Sequence, residues 1–363
     1  MKQQIPNKVI TAFINHNAPA TGSTTDVMKA EAISGGLINL SYKVSIGSKS
    51  HFLLQRINKE VFVNPEEVQE NYCRIWDYTS SKPDTLRLPS PRQHDNETTL
   101  FVDEEQNYWR AFEFIEGACM FPVASKPEQA NAVANAFAKF TAAFEGFDMQ
   151  QLKAVIPGFH DLSLRFNQFI KASSRKSSAR IDKALPLINE LKKREKYKYF
   201  YEVIVGSAEF PQRVMHHDAK IANVLFNSSK DGEVICLVDF DTVMGGYFFS
   251  DLGDMIRSMV CPEDENSTNY GRIEVRKDFY EAIINGYLGV MGKQLTATEK
   301  KYIHYAGILM IYMQALRFLT DYLEDDIYYH TNYPEQNLDR TKNQLLLLEQ
   351  LEELLTTRYD FYM

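Results

Sequence analysis

Cysteine is scarce and scattered in this chain. Its 363 residues hold four, Cys73, Cys119, Cys236 and Cys261, and no two lie close enough for a C-x-x-C pair. That excludes a disulfide framework and is what buried thiols in a reducing cytosol look like. An excess of basic residues is missing too: 40 Lys and Arg face 48 Asp and Glu, a formal net charge of -8. General nucleic-acid binding, which needs a basic surface to neutralise phosphates, is disfavoured, but a local basic pocket for a small anion is not. Long apolar runs are lacking. The longest, "GILMIYM" from Gly307 to Met313, falls far short of a bilayer span. The opening "MKQQIPNKVITAFINHNAPA" has no apolar stretch of the signal-peptide kind. The expectation is a soluble, cytoplasmic protein without membrane or nucleic-acid partners.

What is present is ordinary core material, 44% hydrophobic and 24% charged. The length suggests about two domains. No internal repeat is visible. Residues 31–58, "EAISGGLINLSYKVSIGSKSHFLLQRIN", alternate at Tyr42, Val44 and Ile46, turn at Gly47-Ser48, and resume in "HFLLQRI". This reads as a hairpin. "NPEEVQENYCRIWDYTSS" reads as a helix, with Asn64 as its cap and Pro65 in its first turn. Two strands are expected around "TTLFVDEEQNYWRAFEFIEG", with Asp103 to Asn107 as the turn.

Beyond Gly117 helical spacing takes over, as at Ala132, Val133, Ala136, Phe137, Phe140 and Phe144. "TATEKKYIHYAGILMIYMQALRFLTDYLED" opens with a Thr296–Glu299 capping box and reads as one buried helix. "LDRTKNQLLLLEQLEELL" reads as an amphipathic helix. "KASSRKSSAR", Lys171 to Arg180, looks like a polar loop, and "KKREKYKY", Lys192 to Tyr199, like a solvated helix face. Only Val214 to Asp241 looks like strand again. The pattern is α+β in two lobes: a strand-rich lobe over residues 1–116 and a mainly helical lobe over 117–363.

The chemistry is concentrated in "VMHHDAKIANVLF", Val214 to Phe226, where five polar groups interrupt an apolar frame. His216, Asp218, Lys220 and Asn223 form H-x-D-x-K-x-x-N, and Asp239 and Asp241 follow as D-x-D. The His–Asp–Asn spacing is that of a kinase catalytic loop followed by a metal-binding aspartate. Phosphoryl transfer needs a carboxylate at the attacking hydroxyl, a role open to Asp218. It needs a cation against the phosphoryl charge, which Lys220 can supply. It needs Mg²⁺ on hard oxygen ligands, for which Asn223 and Asp239 suit. His216 reads as a structural hydrogen-bonder and His217 as filler. A lone H-x-D arises by chance, and paired aspartates can merely cap a turn; the complete set between apolar strands is what points to reaction.

The N-terminal lobe fits ATP. Gly35 and Gly36 in "SGGLINLSY" can turn backbone N–H groups over phosphates, though a Gly-Gly turn is usually just a hairpin. The strand lysine customary after such a turn is absent. The matching cation in "FLLQRIN" would be Arg56, with Glu70 as its helix partner ahead of Glu66 and Glu67. "FEFIEG", Phe112 to Gly117 with Phe114 inside it, sits where the lobes join, and its backbone would meet the adenine.

With these motifs the chain resembles the aminoglycoside-phosphotransferase and choline-kinase branch of the protein-kinase-like fold. From Asp239 to a helix near Asp251 there are about a dozen residues and no A-P-E segment, so the resemblance implies a small-molecule acceptor. It makes Asp251 the brace of the catalytic loop, with Asp254 sharing that role. "HHDAKIANVLF", "VDFDTVMGG", "SDLGDMIRSM", "EDENS" and "ALRFLTDYLEDDIYYHTNYPEQNLDR" further resemble the N-acetylhexosamine 1-kinases, over essentially the whole chain. That likeness implies ATP and N-acetylglucosamine or N-acetylgalactosamine as substrates, and a sugar 1-phosphate as product. It implies Arg317 and Tyr328 in the sugar pocket, joined by Asp241; a structural ion pair for Arg317 and plain packing for Tyr328 are the competing roles. Arg56 departs from the usual lysine.

Two other functions compete. One is a kinase of another small alcohol such as homoserine or choline; a choline site would want an aromatic or acidic cage for the quaternary ammonium, and 23 Phe and 20 Tyr leave that open. A catalytically dead scaffold would show damage at the base or metal ligands, yet Asp218, Asn223 and Asp239 all stand.

Overall fold

The computed structural model describes residues 5–17, 28–33, 38–47, 50–82, 85–95, 98–176 and 178–363. Gly35 and Gly36 lie outside the described residues. The N-terminal part contains α1 (Asn7–Asn17), β1 (Met28–Ala32), β2 (Leu40–Ile46), β3 (Ser50–Arg56), α2 (Pro65–Ser80), β4 (Pro91–Arg92), β5 (Leu100–Val102) and β6 (Tyr108–Glu113). The strands form one antiparallel sheet in the order β1-β2-β3-β6-β4, with β5 also on β6. The hairpin expected from the alternation is β2–β3, in which Val44 faces Phe52 and Leu40 faces Arg56. The Asp103 turn also forms: its Oδ1 accepts the N–H groups of Glu105 at 3.0 Å and Asn107 at 2.8 Å.

Period-2 geometry splits this sheet into two chemically distinct faces. Tyr42, Val44, Phe52, Leu54, Trp109 and Ala111 pack with Val9, Ile10 and Phe13 of α1. The intervening residues Leu53, Gln55, Arg110 and Phe112 point the other way, toward the helical part. α2 starts at Pro65 as expected, but Asn64 makes no side-chain cap; its amide instead donates to Glu67 Oε2 at 3.3 Å.

The C-terminal part begins with β7 (Ala118–Cys119), α3 (Pro127–Ala143), α4 (Leu162–Ser173), α5 (Ala179–Lys192), α6 (Lys196–Val205) and β8 (Arg213–Met215). It continues with β9 (Val224–Asn227), β10 (Val234–Leu237), β11 (Met244–Gly246), α7 (Phe249–Met259) and α8 (Lys277–Met291), then α9 (Ala297–Lys301), α10 (Tyr305–Leu323) and α11 (Gln336–Tyr359). The small sheets are β10-β9-β7 and β11-β8. This is the α+β fold expected from the sequence, with a strand-rich N-terminal part and a mainly helical C-terminal part.

Two expectations change. The helix opening at Thr296 has its capping box, but it ends at Lys301 and a second helix starts at Tyr305. The break turns Tyr302 and Tyr305 onto one ring, Phe200, at 4.6 and 4.8 Å. Of the polar stretch Lys171 to Arg180, the first three residues end α4 and the last two start α5, which Ser178 caps by accepting from Ile181 N–H at 3.3 Å.

α10 packs on α7, α11 and α4, and α3 on α8. The α7–α10 crossing is close because glycine makes it so. A Cβ on Gly253 would stand 2.3 Å from the Ala306 carbonyl oxygen, and one on Gly307 2.8 Å from Ile256. This approach fixes the depth at which α7 presents Asp251.

Candidate active site

The polar loop of the sequence lies between β8 and β9, and α7 holds it from below. Asp251, fully buried, accepts two main-chain N–H groups of the loop, His216 at 2.9 Å on Oδ2 and His217 at 2.7 Å on Oδ1. Each pairs a buried donor that would otherwise be orphaned. Asp254 does not brace the loop; its carboxylate binds Arg257, 2.9 Å from Nε. Burial raises the Asp251 carboxyl to about 7, against the pull of the two N–H groups.

His216 is buried and bonded at both ring nitrogens. Nε2 lies 3.0 Å from the Val238 carbonyl oxygen, so it donates, and Nδ1 accepts the Asp218 N–H at 3.3 Å. Burial lowers its pKa to about 4, so the ring is neutral at physiological pH. It is a structural hydrogen-bonder, as expected. His217 is more than filler. It adopts φ 65°, places Nδ1 3.1 Å from His160 Nδ1, and leaves so little room that a Cβ on Gly246 would stand 2.5 Å from its Cε1. Gly246 of β11 is needed for this ring.

Asp218 and Lys220 meet: Oδ2 lies 2.8 Å from Nζ, and the side chains remain 28% and 31% exposed, open to a ligand. Burial pushes the Asp218 carboxyl up. The charge and hydrogen bond of Lys220, with help from His216 and Asn223, outweigh it, and the net shift is down. Asp218 is an ionised carboxylate at neutral pH. The Asn223 amide nitrogen donates to the Asp218 carbonyl and to its Oδ2, both at 2.8 Å. That fixes the amide and leaves its oxygen as the end available to a cation.

Asp239 adopts a left-handed conformation, φ 66° and ψ 58°, at the head of a short turn, Phe240–Thr242. Such backbone is costly outside glycine and is kept where a side chain must be aimed. Val238 N–H donates to the Asn223 carbonyl at 3.0 Å, and Thr242 Oγ1 to the His216 carbonyl at 2.7 Å, so the turn is stitched to the loop. Burial, then the charges of Asp241 and Asp218, push the Asp239 carboxyl up to about 7. A carboxylate short of positive charge beside an aimed amide oxygen is a donor set that fits a hard divalent cation.

Three expectations are corrected here. Arg56 does not face the cleft. Its register with Trp109 puts it on the α1 face, where it lines a cleft with Pro6, Tyr42, Asp103, Glu105, Asn107 and Trp109. Glu70 is not its partner; it pairs with Arg74, one turn along α2. Asp241 does not face an acceptor: one oxygen takes the Arg110 guanidinium and the other the Asn39 amide at 2.6 Å, in a buried cluster. Sequence reasoning missed Arg110 and Asn39. The alternation in "YWRAFE" was the available signal for Arg110, since it sets an arginine between two core residues. α2 enters through Asn71 instead of Glu70: its amide donates to the carbonyls of Val243 and Lys153, both at 2.9 Å.

Phe114 lies at the edge of the sheet with Lys43 Nζ 4.2 Å from its ring centre. Arg317 stands on α10 among aromatic rings, with Phe159 at 5.2 Å, Tyr329 at 5.6 Å and Tyr328 at 5.7 Å, and its Nη2 is 3.5 Å from the Tyr328 hydroxyl. Phe159 stacks on His160 at 4.6 Å, and His160 touches His217, so Arg317 reaches the catalytic loop through two rings. Arg165 is close by: burial and then the Arg317 charge lower its pKa. Its buried Nε has no hydrogen-bond partner. Among the described residues neither guanidinium forms an ion pair. The structural ion pair that competed for Arg317 is therefore not what holds it.

Residues 29–294 match the model of the Phosphotransferase enzyme family. The chain belongs to that family. Solved structures share its fold at low identity. An aminoglycoside phosphotransferase from Alicyclobacillus acidocaldarius aligns with TM-score 0.64 at 12% identity, over 99% of this chain and 97% of the other. A choline kinase from Cryptosporidium parvum Iowa II aligns with TM-score 0.55 at 14% identity, over 97% of each chain. An amicoumacin kinase solved with AMP-PNP and Ca²⁺ aligns with TM-score 0.53 at 12% identity, over 87% of each. The family makes this chain a phosphotransferase, and the kinases among these structures share its fold. No helix among the described residues is long and apolar enough to cross a membrane.

Proposed function

We propose that the chain transfers the γ-phosphoryl group of ATP to the anomeric hydroxyl of an N-acetylhexosamine, giving the sugar 1-phosphate and ADP, in the cytoplasm. Residues 1–116 cover the nucleotide, with Phe114 at the adenine end. Residues 117–363 carry the reacting groups and the sugar. The Asp218 carboxylate takes the proton of the attacking hydroxyl. The Lys220 ammonium offsets charge on the transferring phosphoryl group. Asn223 and Asp239 would hold Mg²⁺, which would offset the negative charge of the phosphates when bound. Asp251, through the loop N–H groups, keeps Asp218 in place.

The observation that carries the acceptor class is the Arg317–Arg165 wall. A choline or ethanolamine acceptor carries a cation, and two guanidinium groups held in no ion pair repel it. A neutral, oxygen-rich acceptor gains instead, because Arg offers a fixed fork of donors to hydroxyl and acetamido oxygens, and the Tyr328 and Phe159 rings cover its apolar faces. Amino-alcohol kinases remain the competing class by kinship with the choline kinase fold.

A panel with an ATP-consumption readout tests this: N-acetylglucosamine, N-acetylgalactosamine, the unacetylated hexoses, choline, ethanolamine and homoserine. The expected result is turnover on N-acetylhexosamines, with phosphate attached at C1. Turnover on choline or homoserine with none on the sugars overturns the assignment.

A further inference from the structure

The cleft face of the sheet has no lysine on the strand where kinases usually carry one, and the cation chosen in its place from the sequence, Arg56, points away. The position beside it that does face the cleft is Gln55, and Gln55 is bonded to an arginine from the neighbouring strand: Arg110 Nε donates to Gln55 Oε1 at 3.2 Å. Register pairs these residues across β3 and β6. Arg110 extends from there to Asp241, two residues beyond Asp239, and its charge acts on Asp239 itself. The usual lysine is held by a helix glutamate. Here α2 offers no such glutamate, since Glu70 is taken by Arg74. The carboxylate comes from Asp241, whose other oxygen binds Asn39, the residue just ahead of β2.

We propose that Arg110 is the cation of the nucleotide-phosphate site, and that Asp241 is its holding carboxylate, the pair standing in for the strand lysine and helix glutamate. Three facts fit this and fit no acceptor role for Asp241. Both Asp241 oxygens are committed to the N-terminal part. Arg110 spends Nε on Gln55 and Nη2 on Asp241, while Nη1 makes no hydrogen bond among the described residues and remains for a phosphate oxygen. Arg110 is 2% exposed, and its planar guanidinium, held at Nε and Nη2, keeps Nη1 in one direction. Asn39 adds the coupling: its Oδ1 accepts Asn58 N–H at 2.9 Å while its amide binds Asp241. The start of β2 is thereby tied to the turn that aims Asp239.

The proposal rests on ATP as donor and not on the identity of the acceptor, so binding without acceptor tests it. Titration calorimetry compares Mg–AMP-PNP, which carries phosphates, with adenosine, which does not. Arg110→Gln is expected to weaken AMP-PNP tenfold or more and adenosine less than twofold, while Arg56→Gln leaves both within twofold. Should Arg110→Gln not fold, Arg110→Lys keeps the charge, loses the fork, and is read by the same ratio. An Arg110 variant with the wild-type ratio of the two affinities overturns the proposal, as does selective loss of AMP-PNP in Arg56→Gln. A wild-type protein that binds AMP-PNP no tighter than adenosine overturns nucleotide use itself, whereas failure on N-acetylhexosamines with this ratio intact touches only the acceptor.

Discussion

Lys220 Nζ stands 2.8 Å from Asp218 Oδ2, two residues away along a loop that also pins Asp218 from Asn223. Without substrate the pair neutralises itself. A phosphoryl group arriving between them has Lys220 for its charge and frees the carboxylate for the hydroxyl proton. Asp218→Ala is expected to cut kcat by about 10²- to 10⁴-fold, the usual worth of a positioned base. Nucleotide binding should hold within about threefold, since the loss is confined to the transition state. Steady-state rates and calorimetry on one preparation check both, and near-normal turnover removes Asp218 as the base.

The Asp239 carboxyl is pushed up to about 7 because burial, Asp241 and Asp218 disfavour its charge. Its unfolded value is about 3.9. Between those values the folded chain holds a proton that the unfolded chain has released, so this group's stabilisation is present at low pH and is lost as pH rises through 7. A cation competes for the same oxygens. The apparent Mg²⁺ affinity should therefore fall about tenfold per pH unit below 7 and flatten above it. The melting-temperature gain from Mg²⁺ should be larger at pH 8 than at pH 6. Equal gains at both pH values would remove Asp239 from the metal site.

Asp251 accepts two buried main-chain N–H groups, and asparagine can accept on only one oxygen while turning an amide toward the other donor. Asp251→Asn is expected to cost about 1–3 kcal/mol, the penalty of one orphaned buried donor. Because the donors belong to His216 and His217, kcat should fall with it while the nucleotide KM changes little. Denaturant titration and kinetics measure the two effects. Asp254→Asn, whose partner is Arg257, should leave kcat closer to wild type.

The meeting of Asp218, Lys220 and Asn223 was legible because it is local: the three fall within six residues, and their spacing survives any packing. The helices and the β2–β3 hairpin were legible for the same reason, since periodicity is a short-range signal. The phosphate-site cation was not. Arg56 and Arg110 differ by which face of one sheet they occupy, and only the pairing of Gln55 with Arg110 reveals it. Asp241 was misplaced for a related reason: a D-x-D motif shows two carboxylates but not that the second turns to a strand 131 residues earlier. Gly246 and Gly253 are likewise set by neighbours brought in from far along the chain, His217 and Ala306.

Arg317 carries the acceptor assignment, so its removal should separate sugar from nucleotide. The side chain is partly buried on α10, holds no carboxylate, and lies against three aromatic rings. Arg317→Gln keeps a donor but removes the charge and the fork. The KM for the N-acetylhexosamine should rise by about tenfold or more, equivalent to at least about 1.4 kcal/mol of binding. The KM for ATP should stay within about twofold, because the guanidinium reaches the loop only through Phe159 and His160. Arg165→Gln should act in the same direction, since it removes the second positive charge of the wall. The folded state should tolerate both changes: losing a charge that lies beside a like charge relieves repulsion, so thermal stability should hold or rise. Competition experiments with choline complete the measurement. Removing positive charge should lower its inhibition constant, and an unchanged constant in both variants would mean that this wall does not face the acceptor.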